Sequence, residues 1–344
     1  MILTFKVRHG RDFSTELQKA RQIADFALET RTLSSARVRQ FGLKSAISNQ
    51  ILREYSRNRK LKGVGNVNLI VPGQSIRKEG DELKIACLKL SLPITFRKDF
   101  TKVNQIELDK EYAFISVTVP DTTVKQVSSY IGVDRNTTGH IAVVSVPQTG
   151  KVYKLGKKAQ HIHRKYREMR RDFQRKGKYG LVKKVKHRES NIVKDLNHKV
   201  SKKIVEIAEQ TNSGIKLEQL NGIRNNRKHS RGFNYSLHSW SFYQLQIFIE
   251  YKARMLGIPI VYVEPRNTSK ECSRCGSIGT RTEKKFVCQS CGYVEHADAN
   301  AGFNIALRQG IVQSIADRDA MEGSTDTPKE ATLGTTETLE PHKL

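Results

Sequence analysis

The run EPRNTSKECSRCGSIGTRTEKKFVCQSCGYVEHADANAGFNIALR, residues 264–308, carries two signals in one segment. Cys272 and Cys275 form one C-x-x-C knuckle and Cys288 and Cys291 a second, each followed at once by glycine, Gly276 and Gly292. Glycine there lets the backbone turn tightly enough for both thiolates of a knuckle to face one ion. Four such sulfurs predict a closed tetrahedral Zn²⁺ site, a zinc ribbon with one structural zinc and no position open to a reacting ligand. Chemistry then has to come from elsewhere. The same run offers a first candidate, Asp298, at the head of a helix expected over 298–308.

Upstream of the knuckles the hydrophobic period alternates between that of strands and that of helices. A strand is expected over 260–263. Before it, a helix beginning near Ser239 or Ser241 carries Phe242, Leu245, Phe248, Ile249 and Met255 and stops at Gly257, with Pro259 beyond it. A loop rich in Arg, Asn, Ser and His, including Arg224, Asn225, Asn226, Arg227, Lys228, His229 and Arg231, separates this helix from a strand over 215–220 that holds Glu218 in its middle. The stretch 151–203 has 20 Lys or Arg against 4 acids, interleaved with Tyr166, Phe173 and Tyr179. Ile192, Leu196, Val200, Ile204 and Ala208 make its second half a packed helix. Ahead of it, 131–133, a turn over 136–139, 141–146 and 152–155 read as an antiparallel meander with Asp134 at the tip of its first strand.

The N-terminal part is of another kind. A strand over 2–8 precedes two or three helices over 14–60. Their polar side carries Arg31, Arg37, Arg39, Lys44, Arg53, Arg57, Arg59, Lys60 and Lys62 with few acids, a sign bias that suits a phosphate-facing surface. Strand periodicity returns over 66–120, in runs such as 68–71, 83–92 and 112–119, and 121–126 looks like a linker. The expected division is a β-module (1–10 and 63–126) with a helical insertion (11–62), a core whose first part is 127–266, the ribbon (267–295), the last core helix (296–310) and an acidic, disordered tail (311–344).

The 344 residues include 61 Lys or Arg against 34 Asp or Glu, a formal net charge of +27. A balance so far from neutral implies a polyanionic partner, nucleic acid first of all. A lone Cys87 in an apolar, strand-like run reads as a small buried hydrophobe, and no disulfide framework is suggested. With neither a long apolar h-region at the N-terminus nor a run of about 18 apolar residues, no signal peptide and no membrane span are expected. A cytoplasmic, nucleoid-associated location fits.

From Tyr130 onward the order is three strands, helix, strand, helix, strand, insertion, helix, with Asp134 on the first strand, Glu218 on the fourth and Asp298 on the final helix. That α/β order resembles an RNase H-like (RuvC-type) nuclease core. Each acid also has a plain local reading: Asp134 as a turn residue, Asp298 as an N-cap, Glu218 as an edge-strand acid facing solvent. Together, three hard carboxylates suit Mg²⁺ or Mn²⁺, and two such ions would support in-line hydrolysis of a phosphodiester.

IGVDRNTTGHIAVV (131–144), IKLEQLNGIR (215–224), EPRNTSKECSRCG (264–276) and CGYVEHADANAGFNIA (291–306) resemble the split RuvC-type motifs and zinc ribbon of TnpB, the transposon-encoded, RNA-guided nuclease family that resembles the ancestor of type V CRISPR effectors. The N-terminal layout resembles that family's wedge domain with its inserted recognition helices. The resemblance implies Asp134, Glu218 and Asp298 as catalytic, Mg²⁺-binding acids and Cys272, Cys275, Cys288 and Cys291 as zinc ligands. It also implies a guide RNA, a short flanking motif read on double-stranded target DNA, and cleavage of guide-matched DNA with specificity delegated to base pairing. The chain departs from the pattern at Asn136, where many relatives carry glycine two positions after the first aspartate. Two other functions remain open at this point: a guide-directed DNA-binding protein that does not cut, and a transposase acting without a guide.

Overall fold

The computed structural model describes residues 1–136, 139–220, 242–311 and 338–339. Contacts divide the chain into two compact units whose boundary in sequence is Asp121/Thr122. The first unit runs β1 (Ile2–Arg8), α1 (Ser14–Thr30), α2 (Ser45–Arg57), β2 (Leu69–Pro72), β3 (Ile76–Glu79), β4 (Glu82–Ile85), β5 (Leu90–Pro93), β6 (Lys102–Leu108) and β7 (Tyr112–Thr118). Its main sheet has the order β1-β7-β6-β2, all antiparallel, and Thr338–Leu339 adds in parallel at the other edge of β1. Alternation in β1 buries Leu3, Phe5 and Val7 and leaves Ile2 exposed. Ala20, Ile23, Ala24 and Ala27 of α1 are buried, as are Ile47, Ile51 and Leu52 of α2, and the two helices pack together. The Arg31 guanidinium donates to the carbonyls of Tyr55 and Asn58 at the end of α2, so this basic residue secures a helix rather than facing phosphate.

The run 83–92 is not one strand. Leu83 and Ile85 are odd-numbered and Leu90 and Leu92 even-numbered, a slip of phase that a continuous strand cannot absorb. The chain turns through a 3₁₀ turn, Ala86–Leu88, and Lys89 at φ 48°, and the resulting hairpin sets Leu83 opposite Leu92 and Ile85 opposite Leu90. Cys87 lies in that turn, half-buried, rather than inside a strand.

The second unit runs β8 (Tyr130–Arg135), β9 (Ala142–Val146), β10 (Lys151–Leu155), α3 (Lys158–Arg175), α4 (Tyr179–Gln210), β11 (Gly214–Glu218), α5 (Phe242–Met255), β12 (Ile260–Val263), β13 (Thr280–Thr282), β14 (Lys285–Val287), β15 (Val294–His296) and α6 (Ala297–Leu307). Its five-stranded sheet has the order β10-β9-β8-β11-β12; β8, β9 and β10 are antiparallel neighbours, and β11 runs parallel to both β8 and β12. The basic stretch is a helical hairpin, α3 against α4, broken at Gly177, whose φ of 64° only glycine adopts without strain. Tyr166 is buried and Phe173 half-buried, so both serve packing, whereas Tyr179 is 70% exposed. Within the hairpin the buried Glu189 holds Arg170 and, at 2.8 Å, His163 Nδ1.

The period of two decides which side of the sheet does what. Ile131, Val133, Ile215 and Leu217 join the core formed with Val200, Ile204 and Ala208 of α4 and Leu245 and Ile249 of α5. Their neighbours Gly132, Asp134, Lys216 and Glu218 face the other way, toward α6. There the packing is backbone against backbone: a Cβ on Gly132 would stand 1.9 Å from the Gly302 carbonyl oxygen, and one on Gly302 would stand 2.4 Å from Ser145 Oγ. Gly132→Ala is therefore expected to destabilise the second unit by about 3 kcal/mol or more, since neither strand nor helix backbone yields cheaply. A thermal melt unchanged from the parent protein would contradict this account of the β8–α6 contact.

No helix among the described residues is long and apolar enough to cross a membrane. The loop around 224–231, the start of the following helix at 239–241 and nearly all of the acidic tail lie outside the described residues.

Candidate active site and cysteine cluster

Asp134 and Glu218 sit at the C-terminal ends of adjacent parallel strands. β8 and β11 pair with Leu217 opposite Val133, so the next step along each strand sets Glu218 beside Asp134 on the α6 side. Glu218 is the last residue of its strand, not the middle as the apolar Leu220 suggested; pairing with β12 ends at Val263. α6 closes the third side. Lys216, two residues before Glu218, donates from Nζ to the carbonyls of Ala306 (2.9 Å) and Arg308 (2.6 Å), a cation on the negative end of that helix. Asp298, one turn before Gly302, is thereby carried toward the strand ends.

Less than a tenth of each carboxylate residue is exposed: 8% for Asp134, 8% for Glu218 and 1% for Asp298. Two of the plain local readings do not survive. Glu218 lies on an interior strand, between β8 and β12, and is buried. Asp298 is the second residue of α6; the N-cap is His296, and both Asp298 oxygens are taken by side chains, Oδ1 by Arg281 Nη2 at 3.0 Å and Oδ2 by Lys284 Nζ at 2.6 Å. Asp134 accepts from the Asn136 side chain, Nδ2 to Oδ2 at 3.0 Å. The departure from glycine at that position thus supplies a hydrogen-bond donor.

The charges do not balance around Asp134. Burial pushes its carboxyl up to about 7, with the negative charges of Glu218 and Asp298 adding to the shift and the Asn136 hydrogen bond and Arg281 opposing it. Burial also raises Glu218, against the Thr268 hydrogen bond and the positive charges of Arg135 and Arg308. A carboxyl raised in this way is relieved by a proton or by a bound cation.

Four further residues around this site are not among the candidates that the sequence singles out. Arg135 is buried and donates to the Glu218 carbonyl (2.5 Å) and to Gln246 Oε1 (2.9 Å). Thr268 Oγ1 donates to Glu218 Oε1 at 2.5 Å. Arg281 and Lys284 come from the β13–β14 hairpin between the two knuckles. Thr268, Arg281 and Lys284 are separated in the chain from the acids they hold, by 50, 17 and 14 residues, whereas Arg135 directly follows Asp134 and acts on Glu218 across the strands.

The four cysteines come together. All four Sγ atoms lie within 4.8 Å of one another, with Cys272–Cys291 at 3.7 Å and Cys275–Cys288 at 3.5 Å. A tetrahedral zinc with bonds of about 2.3 Å requires sulfurs about 3.8 Å apart, so the cluster fits that ion. Both glycines after the knuckles have positive φ, 75° for Gly276 and 72° for Gly292, and their N–H groups close the turns onto the Cys272 and Cys288 carbonyls. The small ribbon core of Cys272, Phe286 and Cys288 includes Ala297, the first residue of α6.

Residues 242–305 match the family model described as Cas12f1-like, TNB domain. The chain is 28% identical to a TnpB-like protein of Methanocaldococcus jannaschii, over 72% of this chain and 98% of that protein. It is 33% identical to the CRISPR-associated endodeoxyribonuclease Cas12f1 of Sulfoacidibacillus thermotolerans, over 55% of this chain and 47% of that protein. A cryo-EM structure of a Cas12f1–sgRNA–target DNA complex aligns over 89% of this chain and 99% of that one, with 19% identity and a TM-score of 0.45. The chain is thus similar to a TnpB-like protein over 72% of its length and to a Cas12f1 endodeoxyribonuclease over 55%, with a Cas12f1-like TNB domain match at 242–305.

Proposed function

We propose that the protein is an RNA-guided, divalent-metal-dependent endonuclease that hydrolyses phosphodiester bonds of guide-complementary double-stranded DNA, associated with a transposable element. The observation that carries this reading is the placement of Asp134 and Glu218 side by side at adjacent strand ends, with the Asp134 carboxyl pushed up to about 7 by burial and by the charges of Glu218 and Asp298. A protein that only binds nucleic acid has no use for three buried acids that repel phosphate. The sheet order, with its second strand antiparallel to the rest of the 3-2-1-4-5 arrangement, supports an RNase H-like, RuvC-type core. In the first unit, the strands fit a wedge-like module and α1 and α2 its recognition insertion.

The donor set consists of hard oxygens and fits Mg²⁺ or Mn²⁺, most simply two ions, held by Asp134, Glu218 and Asp298. Bound there, they would supply activation of a water and charge stabilisation at the leaving 3′-oxygen. The remaining roles belong to the chain. Asn136 turns Asp134 through Oδ2, Thr268 occupies Glu218 Oε1, and Arg281 and Lys284, which hold the two Asp298 oxygens, bring positive charge to the rim where a phosphate arrives and would yield an Asp298 oxygen to a bound ion. The four thiolates would hold one structural zinc.

Guide RNA and target DNA as partners are supported by the net charge of +27 and by the names of the relatives. The test is to purify the full chain from its host, sequence the RNA that accompanies it, and incubate the complex with a duplex matching that RNA. A defined RNA and Mg²⁺-dependent cutting of the matched duplex alone are expected. Absence of a defined RNA, with cutting or joining at transposon ends, would favour a guide-free transposase. A defined RNA with no cutting at any divalent metal would favour a binding protein.

A further inference from the structure

The segment joining β12 to the first knuckle is bolted to α6 at several points. Asn300 and Asn304 each donate from Nδ2 to the Glu271 carbonyl at 2.7 Å, and Asn304 also reaches the Thr268 carbonyl at 2.8 Å. Arg308 donates to the carbonyls of Glu264 and Arg266 and pairs with the Glu271 carboxylate. Asn267 turns the loop at φ 60°, and its carbonyl accepts from the N–H groups of Lys270 and Glu271. From this fixed frame one side chain is directed into the site. Thr268 is 3% exposed, and its hydroxyl lies 2.5 Å from Glu218 Oε1 and 3.1 Å from the Pro265 carbonyl.

A hydroxyl has one proton. Faced with two acceptors it serves the carboxylate, the closer and charged one. Glu218 has no other side-chain hydrogen bond among the described residues, so this bond selects which of its oxygens remains open. The side chain of a glutamate at a strand end has three rotatable bonds, and among the described residues one side-chain hydrogen bond chooses among their settings.

We propose that Thr268 is a positioning residue for the nuclease site: its hydroxyl fixes the Glu218 carboxylate by holding Oε1, leaving Oε2 for a divalent ion. The assignment rests on the reading of Glu218 as a metal-binding acid. It also connects the root of the ribbon, through Thr268, to the strand that carries that acid. Outer partners of this sort contribute roughly 10- to 100-fold to metal affinity or activity.

The test compares Thr268→Val, which keeps the shape and removes the hydroxyl, with Thr268→Ser, which keeps the hydroxyl and removes the methyl. Glu218→Gln is measured beside them, all as the full chain with its own RNA. Mn²⁺ binding is read by electron paramagnetic resonance titration, cleavage by single-turnover rate, DNA binding by filter retention, and folding by zinc content and melting curve. Thr268→Val is expected to weaken Mn²⁺ binding and slow cleavage by ~10- to 100-fold with DNA affinity and zinc content unchanged, and Thr268→Ser to restore both to within about 3-fold of the parent. Valine behaving like the parent while Glu218→Gln is inactive would overturn the role of Thr268 alone. Equal losses in valine and serine variants would overturn it too, by showing that packing of the methyl matters rather than the hydroxyl. A Glu218→Gln protein that cuts and binds Mn²⁺ normally would remove the reading on which the inference stands.

Discussion

Asp134→Asn is expected to abolish cleavage of guide-matched DNA, by roughly 10⁴-fold, and at the same time to raise the melting temperature of the metal-free protein at pH 8. The two effects have one cause. Folding carries Asp134 from an ordinary carboxyl of 3.8 to one near 7, chiefly by burial and then by Glu218 and Asp298. For an acid raised on folding, the unfolded chain releases its proton first. The penalty is therefore absent below about pH 4, grows as the pH rises through the interval, and is complete above about pH 7, where it amounts to at most about 4 kcal/mol. Asparagine keeps the shape and can still accept from Asn136, but carries no charge. At pH 8 it should gain part of that energy, and at pH 4 the gain should vanish. Adding Mg²⁺ reverses the order, because an ion that binds only the folded parent stabilises it by about 2.7 kcal/mol at a hundred times its dissociation constant. RNA and DNA binding should change by less than about 3-fold, since one carboxylate is a small part of a chain whose net charge is +27. Melting curves at both pH values with and without Mg²⁺, beside a cleavage assay, check all of this. Residual cutting with Mg²⁺ present, or a variant less stable than the parent at pH 8, would refute the placement of Asp134 at a charged metal site.

What could be read from the chain beforehand was whatever is local. The cysteine spacing and the glycines behind it concern a few consecutive residues, and the structure keeps both. The parity of IGVD and IKLE was also legible: a period of two sends Asp134 to the side of Gly132 and Glu218 to the side of Lys216, whichever strands pair with them. The strand end at Glu218 was not legible, because it is set by where β12 stops, some 45 residues later. The hairpin at 83–92 was misread although the phase slip between Ile85 and Leu90 recorded it. Least legible were the partners of the acids. Thr268 reaches back 50 residues to Glu218, and Arg281 and Lys284 meet Asp298 across 17 and 14 residues. No periodicity encodes such contacts, since they depend on how the ribbon is hung from the core. Asn136 is the instructive intermediate case: visible as a departure from a family pattern, it acquires meaning only as a donor to Asp134 Oδ2.

Cys288→Ser is expected to lose bound zinc, to lower the folded fraction and to cut activity at least 100-fold, although Cys288 itself touches no substrate. The ribbon has three strands of three residues each and a core of little more than Phe286 and two cysteines. So small a core buries too little apolar surface to order the segment unaided, and the thiolate–metal bonds make up the difference. Cys288 is 1% exposed, so a serine there leaves a hydroxyl in an apolar pocket as well as a missing ligand. The damage should travel along the chain by a short route. β15 passes directly into α6, the Ala297 N–H donates to the Lys284 carbonyl, and Asp298 is held by the side chains of Arg281 and Lys284 from the same hairpin. Unfolding the ribbon removes both cations from Asp298 and frees the first turn of α6, while Lys216 still grips the helix at its far end. The loss of activity should accordingly appear as a lower rate per folded molecule as well as a lower yield. Zinc content by atomic absorption, melting curves and cleavage rate per active complex separate the two. A Cys288→Ser protein with one zinc, an unchanged melting curve and full activity would show that the cluster has no structural part in the site. Removal of zinc from the parent by a chelator should reproduce the variant, and resupply should restore the parent alone.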